Sequence, residues 1–225
     1  MSALRLVVFD VDGTLVDSQR DILRAMTAAF GGLGLPAPPR AAVLAIVGLS
    51  LDHAIPRLAP DLPARAHADL VRLYREAYAG LRGQGRVEET SPLYPGAREA
   101  LAELAAAPDV LLGIATGKSR RGLDVLLEAH GLGRAFVTQQ VADNHPSKPH
   151  PSMLHAALRE TGVEVEHAVM VGDTRYDIEM ARAAGLRSVG VRWGCHPDAD
   201  LAGADVHVDS FAELPAAIER FWEVA

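Results

Sequence analysis

Short apolar runs alternate with amphipathic stretches along most of the chain. The apolar runs predict buried β-strands at residues 6–9, 110–115, 168–171, 188–191 and 205–208, and a further short strand beginning at 136–137. Between them, the sequence predicts helices at residues 97–107, 119–129, 152–160, 176–184 and 211–222. This alternation favours a mostly parallel sheet that is covered by helices on both faces.

Residues 17 to about 85 interrupt the alternation, because they are helical in pattern and contain no convincing strand. The first helix, which Asp17 or Ser18 can cap, carries apolar residues at helical spacing, and further helices are predicted at 40–47, 51–58 and 63–81. The Gly-Gln-Gly stretch at 83–85 is a predicted hinge. We therefore expect a helical insertion at 17–85 in a core formed by 1–16 and 86–225.

Composition and charge narrow the classes of function. The 225 residues are 49% hydrophobic, which allows a sizeable core, and the net charge of −7 argues against a nucleic-acid or anionic-membrane partner. A single cysteine, Cys195, permits no intramolecular disulfide and fits a reducing cytoplasm. Neither a signal-type segment nor an apolar run of about 18 residues is present, so we expect a cytoplasmic protein without a membrane span.

Candidate chemistry begins where the first apolar run stops, at Asp10 and Asp12, before the turn at Gly13. In an extended chain the two carboxylates lie on the same side, and their repulsion is best tolerated when a cation or a proton sits between them. A solvated loop after an edge strand is the plainer alternative.

Three further polar positions follow predicted strands: Thr116 with Gly117, Lys148 in a proline-rich loop, and Asp173. Taken singly, each has a plain explanation, because a threonine or an aspartate often caps a helix and a loop lysine is often exposed. Together they point to one site, because ligands bind at the carboxyl ends of the strands in open parallel sheets.

These motifs resemble those of the haloacid dehalogenase-like hydrolases. The string FDVDGTL, residues 9–15, resembles the family's motif I, and Thr116-Gly117 resembles motif II. Lys148 resembles motif III, and GDTRYD, residues 172–177, resembles motif IV. The string PLYPGAREAL, residues 92–101, is similar to the phosphoglycolate phosphatase branch, and the helical insertion resembles a cap. The resemblance implies an α/β fold: a Rossmann-like parallel-sheet core with an inserted all-helical cap domain.

The resemblance also implies roles for individual residues. Asp10 would be the nucleophile and Asp12 the general acid and base, while Lys148 would neutralise the nucleophile and the phosphoryl charge. Thr116 and Gly117 would bind a phosphoryl oxygen at a helix N-terminus.

A metal ion follows from the same resemblance. Mg²⁺ would be bound by the carboxylates of Asp10 and Asp173 and by the backbone carbonyl of Asp12, with Asp177 outside the ligand set or beside Lys148. No second ligand set is expected from His145, His150 and His155, which lack metal-binding spacing.

We therefore expect a Mg²⁺-dependent phosphatase that acts on a small phosphorylated metabolite, with phosphoglycolate the leading candidate. A phosphosugar mutase would share all four motifs but retain the phosphoryl group. A haloacid dehalogenase would need neither the metal nor an acid at Asp12, and a non-enzymatic binding protein would not need every charged position. The sequence does not distinguish a monomer from a homodimer.

Overall fold

The computed structural model describes residues 3–82 and 87–223 and confirms the predicted α/β architecture around one parallel sheet. Its strands are β1 (Arg5–Phe9), β2 (Val110–Thr116), β3 (Thr138–Val141), β4 (Ala168–Gly172), β5 (Arg187–Val191) and β6 (Val206–Val208). They lie in the order β3-β2-β1-β4-β5-β6, and every neighbouring pair is parallel. The third strand was predicted to begin at 136–137 but begins at Thr138, because the backbone still bends at Val137, although the N–H of Val137 already donates to the carbonyl of Leu112 at 2.9 Å.

Helices connect the strands, and most lie where the apolar spacing predicts them. They are α1 (Gln19–Gly32), α2 (Arg40–Leu44), α3 (Leu51–Leu58), α4 (Ala64–Arg82), α5 (Val87–Thr90), α6 (Ala97–Ala106), α7 (Arg120–Ala129), α8 (Ser152–Thr161), α9 (Arg175–Ala184) and α10 (Leu214–Glu223).

Two helical details differ from the prediction. The helix predicted at 40–47 ends at Leu44, because the following residues form hydrogen-bonded turns that lead into Gly48, whose φ of +96° belongs to the left-handed region. The short helix α5 was not predicted. The predicted hinge at 83–85 lies outside the described residues, and the boundary at 17–85 stays a prediction.

Side chains of β1 alternate between the two faces of the sheet, as the pleat requires. Val7 and Phe9 belong to the cluster formed with α6, α7 and α10, whereas Leu6 and Val8 belong to the cluster formed with α8 and α9. Because β1 is central and covered on both faces, its near-continuous apolar run is what a buried parallel strand needs.

The helices between β1 and the core build a separate apolar cluster. Met26 of α1, Leu44 of α2, Ile55 of α3 and Leu70 of α4 are buried within it. This cluster explains why the segment forms helices: each one has a single apolar face, and those faces pack against one another.

Within the described ranges, no helix combines the length and the apolar character needed to cross a membrane.

The strand order reverses between β1 and β4, where chain connections leave in opposite directions. Asp10 follows β1 and Asp173 follows β4, so the two side chains meet at this switch point. Crevices at such points are the usual ligand sites of open parallel sheets.

We expect Phe9→Ala to lower the free energy of unfolding by about 3–5 kcal/mol, because Phe9 is fully buried and its removal leaves a cavity. Phe9 also meets Phe136 edge to face, with ring centroids 6.5 Å apart. Urea denaturation measures the loss. The control Val137→Ala, at a side chain that is 60% exposed, should change stability by about 0.5 kcal/mol or less. A similar loss in both variants would contradict this assignment of the core.

Candidate active site

Asp10 and Lys148 form the buried centre of the site. Asp10 follows β1 and continues the sheet pairing, since its N–H donates to the carbonyl of Val171 at 2.9 Å. Lys148 Nζ lies 2.9 Å from Asp10 Oδ1 and 2.6 Å from Asp177 Oδ1. Asp10 is 1% exposed and Lys148 2% exposed. These values exclude both plain explanations, a solvated loop for Asp10 and a surface lysine for Lys148.

Asp177 is held by the first turn of α9. Thr174 is the N-cap of that helix, and its N–H and hydroxyl donate to Asp177 Oδ2 at 3.1 and 2.7 Å. This reciprocal capping aims the other oxygen, Oδ1, at Lys148. Because Thr174 caps the helix, Asp173 is left to face the crevice.

Asp173 is fixed by donors from two directions. The Thr14 hydroxyl donates to Oδ1 at 2.8 Å and the N–H of Cys195 donates to Oδ2 at 2.7 Å. Gly13 and Gly194 pack against this carboxylate so closely that a Cβ at either position would overlap it. Gly13 also has a φ of +87°, so the turn after Asp12 requires glycine both for its backbone conformation and for its close approach to Asp173.

Asp12 lies at the less buried side of the crevice. Its Oδ1 accepts a short hydrogen bond from the Ser18 hydroxyl and lies 2.7 Å from Lys118 Nζ. Ser18 was predicted as one possible cap of α1, and it occupies that position, but its side chain makes no capping bond because its hydroxyl is directed to Asp12. Lys118 also donates to the Tyr78 hydroxyl at 3.2 Å.

Thr116 and Gly117 lie at the end of β2. The Thr116 hydroxyl accepts from the N–H of Lys118 at 3.2 Å, and the next helix is capped by Ser119, so Thr116 is not its cap. Gly117 faces the backbone carbonyls of Gly48 and Leu49, and a Cβ there would lie 2.8 Å from each carbonyl oxygen. Glycine at 117 therefore permits close contact between the helical insertion and the sheet.

Burial controls the protonation of the acidic groups. It raises the pKa of Asp10 to about 7 from its ordinary value of 3.8, with Lys148 opposing and Asp177 adding to the increase. Burial also raises the pKa of Asp173 well above 3.8. For Lys148, burial alone would lower the pKa, but Asp10 and Asp177 outweigh it and the pKa is raised, so this lysine stays charged.

A divalent cation fits this set of donors. Carboxylate oxygens of Asp10, Asp173 and Asp177 lie within 4.8 Å of one another, and all three residues are buried. Within the described chain, Asp10 Oδ2 is buried without a hydrogen-bond partner. A hard cation with oxygen ligands would satisfy that atom and reduce the repulsion between carboxylates. Asp177 Oδ1 faces the Lys148 ammonium group, which would repel a second cation, whereas the donors to Asp173 are a neutral hydroxyl and a neutral N–H group. Asp10 and Asp173 are therefore the better placed ligands.

The structure brings together every site residue that the sequence motifs indicate. Sequence reasoning missed Lys118, Ser18 and Tyr78; for Lys118 the available signal was a cation directly after Thr116-Gly117 at a strand end. The three histidines that lack ligand spacing take no part in the site. Cys195 is half-buried, and only its backbone N–H contributes.

A cavity of about 540 Å³ opens above these groups, between the helical insertion and the carboxyl edge of the sheet. Asp10, Asp12, Thr116 and Lys118 line its polar end. The rest is lined by residues of α1, of the 46–54 segment and of α4 on one side, and by residues of α7 and the turn after β3 on the other.

Comparison with known proteins identifies relatives over nearly the whole chain. Residues 7–191 match a family model described as haloacid dehalogenase-like hydrolase. The chain is 37% identical over 217 residues to the probable phosphatase IndB of Dickeya dadantii, with 94% of this chain and 92% of that protein covered. It is 34% identical over 226 residues to a phosphoglycolate phosphatase of Yersinia pseudotuberculosis, and the alignment covers 96% of this chain and 94% of that protein. The structure also superposes on a solved haloacid dehalogenase-like hydrolase of Streptococcus pneumoniae with a TM-score of 0.82. That protein is 26% identical in sequence, and the superposition covers 96% of this chain and 99% of the other.

We expect added Mg²⁺ to raise the melting temperature more at pH 7.5 than at pH 5.5. The pKa of Asp10 is raised on folding, so its protonation stabilises the metal-free fold at low pH, and this contribution is lost as the pH rises through about 7. A cation that binds in place of the proton restores this lost stability, and its effect is largest at a pH where the carboxylates are ionised.

Differential scanning calorimetry with and without Mg²⁺ checks this pH dependence. Asp124→Asn, at an exposed carboxylate, is the control and should respond as the wild type does, whereas Asp10→Asn should respond less. An equal Mg²⁺ effect at the two pH values would contradict the proposed exchange of a proton for a cation.

Proposed function

The chain belongs to the haloacid dehalogenase-like hydrolase family, and we propose that it is a Mg²⁺-dependent phosphatase that hydrolyses a small phosphate monoester through an aspartyl-phosphate intermediate. One observation carries the proposal: the buried Asp10 carboxylate, at the end of the central strand, has one oxygen paired with Lys148 and the other without a partner in the described chain. Such a carboxylate is suited to bind a cation with one oxygen and attack with the other.

Asp10 acts as the nucleophile in this mechanism. One carboxylate oxygen forms a bond to phosphorus while the bond from phosphorus to the leaving oxygen breaks. Lys148 reduces the repulsion between the incoming phosphate dianion and Asp10, because its ammonium group lies 2.9 Å from the nucleophile. Thr116 and the N–H groups after it hold the phosphoryl oxygens.

Asp12 acts twice. As an acid it gives its proton to the leaving alkoxide, and as a base it then takes a proton from the water that attacks phosphorus and releases Asp10. Lys118 and Ser18 both contact its Oδ1, which holds the side chain at the mouth of the crevice. One group that serves first as the acid and then as the base is sufficient for both displacements, and we assign this role to Asp12.

Asp10, Asp173 and the Asp12 backbone carbonyl are the proposed Mg²⁺ ligands. When bound, the cation would withdraw charge from the phosphoryl oxygens and favour the ionised form of Asp10. Asp177 contributes by holding Lys148. We also propose a cytoplasmic location, because the single cysteine permits no intramolecular disulfide and fits a reducing compartment.

A phosphate-release assay with Mg²⁺ over a panel of phosphorylated metabolites tests the function. Phosphoglycolate is the first substrate to include, because several relatives are named phosphoglycolate phosphatases. The assay also separates hydrolysis from isomerisation: a phosphatase frees inorganic phosphate, whereas a mutase yields an isomeric sugar phosphate. No phosphate release from any substrate would contradict the proposal.

We expect Asp10→Asn to abolish turnover, with a loss of at least about 10³-fold in kcat, because the amide has nearly the same shape but is not nucleophilic. The fold should be retained, as circular dichroism would show. Asp124→Asn, on the exposed face of α7, is the matched control and should keep full activity. Substantial phosphatase activity in Asp10→Asn would exclude the covalent route.

We expect Asp12→Asn to slow the release of an alkoxide far more than that of p-nitrophenolate, which leaves without a proton. The difference should be roughly 10²-fold or more in the first bond cleavage. Rapid-quench measurement of that step, before the steady state, isolates the acid role from the base role. Equal losses for the two kinds of substrate would remove Asp12 as the acid.

A further inference from the structure

The cavity above Asp10 bears on which substrates the proposed phosphatase accepts. Its volume of about 540 Å³ is measured with the helical insertion already in contact with the core. The N–H of Ser50 donates to Ser147 Oγ at 3.0 Å, and Lys118 Nζ donates to the Tyr78 hydroxyl at 3.2 Å. The insertion therefore contacts the core beside this space, and the volume lies in the range of roughly 300–1,000 Å³ that is typical of pockets for larger organic ligands.

Most of the lining outside the polar end is apolar. It is contributed mainly by the helical insertion and includes Ile22, Met26, Val47, Leu49, Tyr74 and Tyr78. The rings of Tyr74 and Tyr78 stack on each other with centroids 5.7 Å apart. Because the core strands supply the phosphoryl end, this apolar and aromatic wall faces the leaving alcohol.

Charges along the lining do not favour a second anion. Lys118 is paired with Asp12 at 2.7 Å, and Arg75 and Arg121 are exposed at the rim. The carboxylates of Asp52 and Asp143 are exposed at the same rim, and Asp52 lies 4.0 Å from Arg75, so the rim charges of the two signs offset one another. A carboxylate on the leaving group would lose water without gaining an uncommitted buried cation among the described lining residues, which is unfavourable.

We propose that the preferred substrate is a phosphate monoester of an uncharged, ring-bearing alcohol, rather than the short carboxylate-bearing alcohol of phosphoglycolate. The proposal rests on the phosphatase function and adds the class of leaving group. A ring fills the volume and stacks against the tyrosine pair, and an uncharged alcohol places no second anion beside Asp10 and Asp12.

Steady-state kinetics with Mg²⁺ on matched alkyl esters tests it: benzyl phosphate, its para-carboxylate analogue, and phosphoglycolate. The expected kcat/KM for benzyl phosphate exceeds both others by at least about tenfold. In all three esters the phosphate oxygen is bonded to a CH2 group, so each releases a primary alkoxide and differences in kcat/KM report mainly on the cavity. Hydrolysis of p-nitrophenyl phosphate measures catalytic competence, because its leaving group, p-nitrophenolate, departs without acid assistance.

Two variants locate the effect in the cavity. Val125→Trp adds bulk from the α7 side, and Tyr74→Ala removes one ring of the stacked pair. Each should lower kcat/KM for benzyl phosphate by about tenfold while changing the value for phosphoglycolate by less than about threefold. If Val125→Trp does not fold, Tyr74→Ala alone still tests whether the cavity wall selects the ring-bearing substrate. Val137→Trp, at an exposed position away from the lining, is the control and should match the wild type.

The outcomes separate this proposal from the function on which it rests. Hydrolysis of phosphoglycolate that equals or exceeds that of benzyl phosphate, with p-nitrophenyl phosphate cleaved, would overturn the substrate class and leave the phosphatase function standing. Equal loss on all substrates in the cavity variants would also overturn it. No Mg²⁺-dependent hydrolysis of any of the four esters would remove both.

Discussion

The buried ion group of Asp10, Lys148 and Asp177 is the interaction on which the site depends. Taking a charge out of water costs several kcal/mol, and that cost is met only when partners and hydrogen bonds are well placed. Thr174 holds Asp177, Asp177 holds Lys148, and Lys148 faces Asp10. This series joins the start of α9 to the end of β1, so the position of the proposed nucleophile follows from the packing of two neighbouring strands.

The two ends of the cavity are built by different parts of the chain and have different chemistry. Strand ends of the sheet supply carboxylates, a hydroxyl and lysines, which suit a phosphoryl group and a cation. The helical insertion supplies apolar and aromatic side chains, which suit an organic group. Similarity to a phosphoglycolate phosphatase extends over 96% of the chain. We propose that the polar end accounts for the shared chemistry and that the apolar end distinguishes between substrates.

Much of the fold was predictable from the sequence, because β1, β2, β4 and β5 are largely apolar runs that end at or next to a polar residue or a glycine. Strand β3, with the sequence TQQV, lacks this pattern, and its start was misplaced. The candidate site residues were predictable for the same reason: Asp10, Thr116 and Asp173 each terminate a strand. The turn after Leu44 was missed, because it depends on the backbone conformation at Gly48. The pairing of Lys118 with Asp12 and Tyr78 was missed, because it joins three segments that only the folded chain brings together.

The division of the cavity between the sheet and the insertion has a consequence for how such a protein can diverge. On the proposed division, substitutions in the helical insertion would alter which alcohol fits, while the ion group beneath would keep its geometry, because its described partners lie outside residues 17–85. New substrate preferences can therefore arise by substitutions in the cavity wall of the helical insertion, without loss of the reaction that the ion group supports. A lineage could explore many metabolites through single-residue changes while it retained one reaction.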